Sequence, residues 1–262
     1  MSQIIAVSNQ KGGVAKTTTT LHLAAAFARA GERVLMLDLD PQGSLSLHCG
    51  LAPDELSHSI YDILMKSTPP AQVLRRASFG ADILPANLDL SMAEMELVNV
   101  VARERRLGAA LAPLRDAYDY VLIDCQPSMG LLTLNALAVA DWVLIPVSCE
   151  FLSLRGVDVL LKMMGKVRLR LNSKLRVLGL LPTMFDTRTN HAHHSLAAIK
   201  THFGSRYRVF DAVIGRSIRF PEAAEAAVPI YESAPKSPGS ESYQQAAAEI
   251  LAALQAGAAT PG

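Results

Sequence analysis

The sequence predicts a single α/β domain in residues 1–254, with a mostly parallel β-sheet flanked by helices on both faces. Short apolar runs alternate along the chain with segments in which apolar residues recur at helical spacing. Half of the 262 residues are apolar and 5% are aromatic, so the predicted core consists mainly of Leu, Val, Ile and Ala. Residues 91–114 are predicted to form two helical pieces with Val100 and Val101 turned inward, and residues 255–262 a disordered tail.

A glycine-rich turn separates the first predicted strand from the first predicted helix. Apolar residues 4–7 form the strand, and residues 21–30 have helical spacing. A strand, a glycine-rich turn, a Lys-Thr pair and a helix in this order are typical of a phosphate-binding loop. The backbone N–H groups of such a turn and the helix N-terminus attract a polyphosphate. We therefore expect Lys16 to reach the β- and γ-phosphates and the Thr17 hydroxyl to ligate Mg²⁺.

The loop departs from the general phosphate-binding pattern. Where that pattern has its two glycines, this chain has Gln10 and Ala15, and the glycines lie at positions 12 and 13. Lys11 is an additional cation. Two lysines in one loop repel each other unless a polyphosphate lies between them, which favours a nucleotide site over the alternative, a glycine turn with exposed lysines. The candidate nucleotide-binding residues of the loop are Lys11, Gly12, Gly13, Val14, Ala15, Lys16, Thr17 and Thr18.

Acidic residues follow two further predicted strands. The strand at residues 33–37 leads into Asp38 and Asp40, and the strand that begins at Tyr120 ends at Asp124. The carboxyl ends of parallel strands meet at one edge of a sheet, beside the phosphate loop, where Mg²⁺ and an attacking water are expected. We expect Asp38 to point to one side of the strand and Asp40 to the other side or into the loop, so the two acids need not share a role. Capping of the next turn is the alternative role for each.

The formal net charge of +1 conceals an uneven distribution along the chain. Residues 1–154 hold 11 Lys or Arg and 16 Asp or Glu, residues 155–219 hold 13 and 3, and residues 220–262 hold 1 and 5. The middle block therefore carries a net charge of +10. Such a block is typical of a surface that binds a polyanion, and a set of well-solvated helix surfaces is the alternative.

These motifs in combination resemble those of the ParA/MinD family of dimeric ATPases, and the resemblance spans residue 3 to about residue 250. KGGVAKTT at 11–18 resembles the family's deviant phosphate-binding loop, and DLDPQG at 38–43 and DCQPSMG at 124–130 resemble its two switch segments. Further matching segments are PVSCEF at 146–151, TMFDTRTN at 183–190 and VIGRSIR at 213–219. The chain is most similar to the short, Soj-like ParA proteins that partition chromosomes or plasmids.

The resemblance implies a P-loop NTPase fold that uses ATP and Mg²⁺ and forms a homodimer when ATP binds. Lys11 matches a lysine that contacts the nucleotide of the opposite subunit, and Asp40 matches an aspartate that positions the hydrolytic water. Together with Lys16 they form the implied catalytic set. The implied magnesium-associated residues are Thr17, Asp40 and Asp124. Further implied nucleotide contacts are Met184, Gly215 and Ser217.

Several positions depart from the family pattern. Most members have glycine in place of Ala15, and alanine costs roughly 1–2 kcal/mol if the position requires a positive φ. Gln126 replaces the first proline of the second switch, which can loosen that loop without removing the acid. Gly215 and Ser217 replace a proline and an asparagine beside the adenine base, so the base contacts are the part of the resemblance that transfers least.

Partition members of the family bind double-stranded DNA without sequence preference. Their DNA-binding arginines match Arg188, Arg216 and Arg219. The resemblance therefore implies an ATP-bound dimer on DNA that is released upon hydrolysis, a slow reaction that a ParB-type centromere-binding protein stimulates. The implied location is cytoplasmic, in association with the nucleoid.

Two other functions occur in the same superfamily. A MinD-like positioning ATPase ends in a basic amphipathic helix that binds lipid, whereas residues 241–262 contain no Lys or Arg and two glutamates. A P-loop metabolic ATP-dependent enzyme needs a substrate pocket with its own acids and bases, and no such set is apparent in the sequence. We therefore expect no membrane attachment. We also expect no secretion signal and no N-terminal helix-turn-helix extension.

Overall fold

The computed structural model describes residues 2–150 and 153–258. These residues form the predicted α/β fold, a seven-stranded sheet with helices on both faces. The strands are Gln3–Val7 (β1), Val34–Leu39 (β2), Arg75–Arg76 (β3), Asp82–Leu84 (β4), Tyr120–Cys125 (β5), Trp142–Ser148 (β6) and Arg176–Thr183 (β7).

Most helices lie between successive strands, as expected for parallel pairing. The α-helices are Lys16–Arg29 (α1), Ser44–His48 (α2), Ile60–Lys66 (α3), Pro70–Val73 (α4), Leu90–Glu96 (α5), Arg106–Leu111 (α6), Leu131–Val139 (α7), Ser153–Arg170 (α8), Asn190–Phe203 (α9), Arg219–Glu225 (α10), Ile230–Ser233 (α11) and Pro238–Ala258 (α12). Short 3₁₀ turns occur at Pro53–Glu55, Leu97–Asn99, Arg103–Arg105 and Ala112–Leu114.

The strand order β3-β4-β2-β5-β1-β6-β7 places the first strand inside the sheet. Neighbouring strands pair in parallel, except that β3 and β4 are antiparallel. Asp38 of β2 lies in register with Asp124 of β5, and Val7, the last residue of β1, pairs with the same Asp124 from the other side. This register brings the phosphate loop and the acids together at the carboxyl ends of the parallel strands.

Two hydrophobic cores lie on opposite faces of the sheet, and alternate strand residues enter them. In β1, Ile4 and Ala6 belong to one core, and Ile5 and Val7 belong to the other. The first core contains residues of α3 to α9, and the second contains residues of α1, α2 and α10 to α12. Burial on both faces explains why the central strands are nearly continuous apolar runs.

Two local predictions are wrong. The segment at 91–114 is divided into short helices and 3₁₀ turns, because Val100 is extended and Ala102 has a φ of 54°. Val101 is 91% exposed rather than turned inward. Helix α12 continues to Ala258, so residues 255–258 are helical and do not belong to a disordered tail, and residues 259–262 lie outside the described part. No helix in the described ranges is long and apolar enough to cross a membrane.

Helix α12 packs against α1, the helix that follows the phosphate loop. The Tyr243 hydroxyl and the Thr19 hydroxyl are hydrogen bonded at 3.0 Å, and the Tyr243 ring stacks on the buried His22 at 4.8 Å between centroids. His22 Nδ1 lies 2.7 Å from the Thr18 carbonyl, and Nε2 accepts from the Ile230 N–H at 3.0 Å. Both bonds are made by a neutral ring protonated at Nδ1. Burial lowers the pKa of His22 to about 4.

Acidification should therefore weaken the anchoring of α1. A His22 pKa below that of the unfolded chain means that the unfolded state binds the proton first, so the free energy of unfolding falls as the pH drops from the unfolded pKa towards the folded one. Relative to a His22→Gln variant, the parent should lose about 2 kcal/mol between about pH 7.5 and about pH 5. Urea unfolding of both proteins at each pH measures this difference, and parallel pH profiles would contradict it.

Candidate nucleotide and magnesium site

The predicted phosphate-binding loop, residues 8–15, joins β1 to α1 and is held by two neighbouring strands. Asn9 Nδ2 donates to the Pro146 carbonyl of β6 at 2.8 Å. Thr183 Oγ1 of β7 donates to the Val14 carbonyl at 3.1 Å. These bonds fix both halves of the loop to the sheet.

Two loop residues have left-handed backbone conformations. Gly13 has a φ of 71°, and Ala15, which directly precedes α1, has a φ of 66°. The strain expected for alanine at this position is therefore present. No side chain of the described residues caps α1 at Ala15. The first N–H groups of the helix therefore remain available to an anion.

Lys16 and Thr17 begin α1 and lie next to Asp124. Thr17 Oγ1 donates to Asp124 Oδ2 at 2.6 Å, and Lys16 Nζ donates to the Lys11 carbonyl at 3.2 Å. Burial raises the pKa of the Asp124 carboxyl well above its ordinary value, and the nearby Asp38 adds to the shift. Burial likewise lowers the pKa of Lys16, against the opposing charge of Asp124. A bound cation and polyphosphate would favour the charged forms of both groups.

The oxygens around Asp124 fit Mg²⁺. Asp124 is buried, and its Oδ1 atom has no hydrogen-bond partner in the described part of the chain. A buried carboxylate oxygen without a donor is unfavourable, whereas hydroxyl and carboxylate oxygens are the ligands that Mg²⁺ prefers. Thr17 and the half-buried Asp40, which accepts from the Gln42 N–H at 3.0 Å, complete the donor set.

Asp38 and Asp40 differ in their surroundings, as the sequence predicted. Asp38 is buried, and its Oδ2 accepts from the Ser46 N–H at 2.8 Å and from the Ser46 hydroxyl at 2.7 Å. Burial raises the pKa of Asp38 to about 6. Both acids therefore cap the turns that follow them, Asp38 at the first turn of α2 and Asp40 at Gln42, but only Asp40 also lines the open cavity.

A cavity of about 1000 Å³ opens beside the loop. The predicted site residues in its lining are Gly12, Gly13, Ala15, Lys16, Thr17, Thr18, Asp40, Met184, Arg188, Gly215, Arg216 and Ser217. Asp124 and Val14 are buried behind this surface. Its apolar part includes Ile218, which belongs to the segment 213–219, and Phe220 and Tyr243, two residues that the motifs did not indicate.

Lys11 lies outside this lining and forms an ion pair with Glu150. Its Nζ atom lies 3.7 Å from Glu150 Oε2, and the other oxygen of Glu150 lies 3.5 Å from an Arg216 guanidinium nitrogen. The Lys11 side chain is 36% exposed, whereas Lys16 is 7% exposed as a residue. The two lysines of the loop therefore have different environments, one inside the site and one at the surface.

Of the three predicted DNA-binding arginines, Arg188 and Arg216 line the cavity, and Arg219 lies in the chain between the lining residues Ile218 and Phe220. Each of the three pairs with a carboxylate. Their partners are Asp186 for Arg188 at 2.8 Å, Glu150 for Arg216 at 3.5 Å and Glu222 for Arg219 at 2.8 Å. The three side chains are 55–85% exposed. Exposed pairs of this kind contribute about 0–1 kcal/mol each, so a phosphate can replace the carboxylate at low cost.

The block with a net charge of +10 does not form one surface. Arg188 follows the carboxyl end of β7, on the side of the sheet where the strands end and the phosphate loop lies. Arg176 begins the same strand and lies in register with Trp142, on the side where the strands begin. Helix α8 runs from the first side to the second and ends at Arg170. A polyanion at the cavity mouth therefore meets only part of the block.

Sequence reasoning missed Glu94, and its expectation for Gln126 is not met. Gln126 Nε2 donates to Glu94 Oε1 at 2.8 Å, so the loop after Asp124 is tied to α5 rather than loosened. The contact joins residues that are 32 positions apart in the chain. No local spacing in the sequence predicts such a pair.

The left-handed conformation at position 15 makes a prediction about stability. Ala15→Gly removes steric strain and should raise the free energy of unfolding by about 1 kcal/mol. Gly13→Ala, which introduces the same strain, should lower it by about 1 kcal/mol. Gly12→Ala is the matched control, because Gly12 has no positive φ and a Cβ atom there meets nothing within 4 Å. Urea unfolding measures all three, and a less stable Ala15→Gly protein would contradict the prediction.

Comparisons of sequence find relatives of this chain along nearly its whole length. The sequence model of a family described as AAA domain matches residues 2–177. The sporulation initiation inhibitor protein Soj of Bacillus subtilis is 41% identical over 253 residues, which cover 96% of this chain and 99% of Soj. The chromosome partitioning protein ParA of Myxococcus xanthus is 42% identical over 252 residues, which cover 96% of this chain and 88% of that protein.

A solved structure shows the same fold. It is described as cobyrinic acid a,c-diamide synthase from Mycobacterium smegmatis with bound ADP and magnesium, and it is 38% identical with a TM-score of 0.87. The alignment covers 98% of this chain and 97% of that one. The family model, the identities over nearly the full length and the shared fold agree with the resemblance found in the motifs. The chain therefore belongs to the ParA/MinD family of P-loop ATPases.

Proposed function

We propose that this chain is a partition ATPase that binds DNA as an ATP-bound homodimer and leaves DNA after hydrolysis. The observation that carries the proposal is the different placement of the two loop lysines. Lys16 is buried within the loop, whereas Lys11 lies at the surface beside Glu150, outside the lining of its own cavity. A lysine in that position can contact the phosphates of a nucleotide that is bound to another subunit.

Within one subunit, the loop binds the phosphates of ATP. Gly12 and Gly13 expose backbone N–H groups, Lys16 neutralises phosphate charge, and the N-terminus of α1 adds a favourable dipole. Mg²⁺, held by Thr17, Asp40 and Asp124 directly or through water, would stabilise the negative charge of the transferring phosphoryl group. The base would lie against the apolar wall, near Met184, Gly215 and Ser217.

Dimerisation depends on electrostatic compensation across the interface. Two bound nucleotides bring negative charge onto two facing surfaces, which repel each other without added cations. Lys11 can supply that cation, because its exposed pair with Glu150 at 3.7 Å is weak. Each Lys11 then exchanges Glu150 for a phosphate of the opposite subunit. Asp40 is placed at the cavity to orient the hydrolytic water.

DNA binding uses the exposed arginines at the mouth of the cavity. A dimer doubles the number of guanidinium groups that contact one duplex, so its affinity rises steeply relative to a monomer. The binding is expected to be salt-sensitive and independent of sequence, because phosphates are the contacted groups. Release requires hydrolysis, which is slow until a ParB-type protein stimulates it, and the protein works in the cytoplasm on the nucleoid.

DNA retention by the purified chain tests the switch. The parent should retain duplex DNA with ATP and Mg²⁺ but not with ADP or without nucleotide. Arg219→Glu should weaken ATP-dependent retention about tenfold, because it removes phosphate contacts from both halves of the dimer. Arg170→Glu is the matched control, since it makes the same charge change at the far end of α8 and should alter retention less than about twofold.

Two results would contradict this proposal. Equal retention in the three nucleotide states would remove the switch. A Lys11→Ala protein that still sediments as an ATP-bound dimer would remove the role of Lys11 in joining the subunits. An Asp40→Ala protein slows hydrolysis and should make the dimer easier to detect by sedimentation.

A metabolic ligase is the second candidate, because of the 38% identical structure described as a cobyrinic acid a,c-diamide synthase. Another cavity, of about 340 Å³, has a lining that includes Glu104 and Arg105 but no residue of the phosphate loop. A ligase substrate that reacts with the γ-phosphate would have to enter the nucleotide cavity instead. Membrane attachment through α12 has less support, since the apolar residues of that helix are buried against α1 and the sheet.

An amidation assay separates these functions. With ATP, Mg²⁺, glutamine or ammonia, and cobyrinic acid, we expect no amide product and less than about a twofold change in ATP hydrolysis, because water is the only acceptor in the proposed reaction. DNA together with a ParB-type protein should increase hydrolysis. An amidated corrinoid, detected by mass spectrometry, would decide in favour of the ligase.

A further inference from the structure

Glu94 of α5 binds both ends of the loop that follows Asp124. Its Oε1 accepts from Gln126 Nε2 at 2.8 Å and from the Leu132 N–H at 3.0 Å, and its Oε2 accepts from the Leu131 N–H at 3.0 Å. Gln126 lies two residues after Asp124, and Leu131 begins α7. One carboxylate thus spans the loop from its first turn to the helix that ends it.

The carboxylate also serves as the N-terminal cap of α7. Gly130 occupies the cap position, and no side chain of the described cap region bonds the first turn from there. A negative group at a helix N-terminus is favourable and satisfies N–H groups that the helix leaves without partners. A distant residue therefore does what a Ser or Asp at the cap position usually does.

Gly130 provides independent evidence that this position is built for the carboxylate. A Cβ atom at position 130 would overlap both carboxylate oxygens of Glu94. The φ of Gly130 is −76°, which any residue can adopt, so glycine is required by the close approach and not by the backbone. The loop and α5 are complementary in shape as well as in hydrogen bonding.

Two further hydrogen bonds of the described residues lie within this loop, and Met129 packs against the first core. The Gly130 N–H donates to Ser128 Oγ at 3.3 Å, and Thr133 Oγ1 donates to the Ser128 carbonyl at 2.8 Å. Both bonds are local and move with the loop. Pro127 lines the nucleotide cavity directly after Gln126, so the hydrogen bond between Gln126 and Glu94 is the long-range polar contact nearest to this part of the cavity wall.

We propose that Glu94 is a positioning residue for ATP hydrolysis, which sets the loop after Asp124 against the nucleotide through Gln126 and the first turn of α7. In the resembling family a proline at position 126 restricts the loop covalently. In this chain a side-chain hydrogen bond to another helix supplies that restriction. The inference rests on ATP hydrolysis by this chain, which is one part of the proposed function.

Steady-state hydrolysis by single and double variants tests this role. Glu94→Ala should lower kcat about tenfold while changing KM for ATP less than about twofold, because the phosphate loop stays intact and the reacting groups are misplaced. Gln126→Ala, which removes one of the three bonds, should lower kcat about threefold. Gln126→Pro in the Glu94→Ala background should restore at least about half of the parental kcat, since the ring again restricts the loop.

Glu96→Ala is the matched control on the same helix. Glu96 accepts from the Tyr61 hydroxyl at 3.1 and 3.3 Å and does not touch the loop, so its loss lowers stability without moving the loop. Hydrogen exchange gives a readout apart from activity. The amides of residues 126–132 should exchange faster in Glu94→Ala and at the parental rate in Glu96→Ala.

The outcomes separate a positioning role from a merely structural one. Equal kcat values for Glu94→Ala and Glu96→Ala, or a failure of Gln126→Pro to restore kcat, would overturn the role of Glu94. If Glu94→Ala does not fold, Glu94→Gln and Gln126→Ala carry the same comparison. A parent chain that hydrolyses no ATP would instead refute the proposed function, whereas a hydrolysing parent that fails to retain DNA leaves the role of Glu94 open to the same kinetic test.

Discussion

Parallel pairing of β1, β2 and β5 places two acids side by side inside the protein, and the site depends on how their charges are balanced. Asp38 and Asp124 are 0% and 1% exposed and lie in register on neighbouring strands. The N–H and hydroxyl of Ser46 stabilise Asp38. Asp124 has the Thr17 hydroxyl and one oxygen without a partner in the described ranges. The two buried carboxylates would therefore be stabilised by a cation, and the neighbouring loop attracts an anion. A complex of magnesium with a nucleotide provides both charges.

The same balance explains why the loop carries two lysines with different surroundings. In the proposed function a cation inside the loop would neutralise the phosphates of its own subunit, and Lys16 is buried there. A second lysine beside Lys16 would repel it and would face the same phosphates, so it would neutralise no further negative charge. Lys11 instead lies at the surface, where Glu150 holds it weakly. Arg216 binds the other oxygen of Glu150, so the acid joins the phosphate loop to the arginines at the mouth of the cavity.

Local patterns predicted the fold and the loop because their causes are local. Strands buried on both faces must be apolar runs, and a glycine-rich turn before Lys16 and Thr17 is needed for backbone N–H groups to surround a phosphate. The contact of Glu94 with Gln126 and the bond from Ser46 to Asp38 depend on how distant elements pack, and no spacing encodes them. The block with a net charge of +10 suggested a single surface, which packing does not produce. The two ends of α8 and of β7 lie on opposite sides of the sheet, one where the strands begin and one where they end.

The bond between Thr17 and Asp124 also explains how one hydroxyl can serve two partners. A threonine hydroxyl has one hydrogen and two lone pairs, so it can donate to Asp124 Oδ2 and still offer an oxygen lone pair to a metal ion. The 2.6 Å bond fixes the direction of the hydrogen and therefore the direction of the lone pairs. Oδ1 of the same carboxylate, which has no hydrogen-bond partner in the described ranges, would be free to accept from a water of a bound magnesium ion. Asp124 thus orients Thr17, the predicted metal ligand on α1, and also begins the loop that Glu94 holds at its other end. Residues 125–130 therefore connect α5 to the predicted metal site.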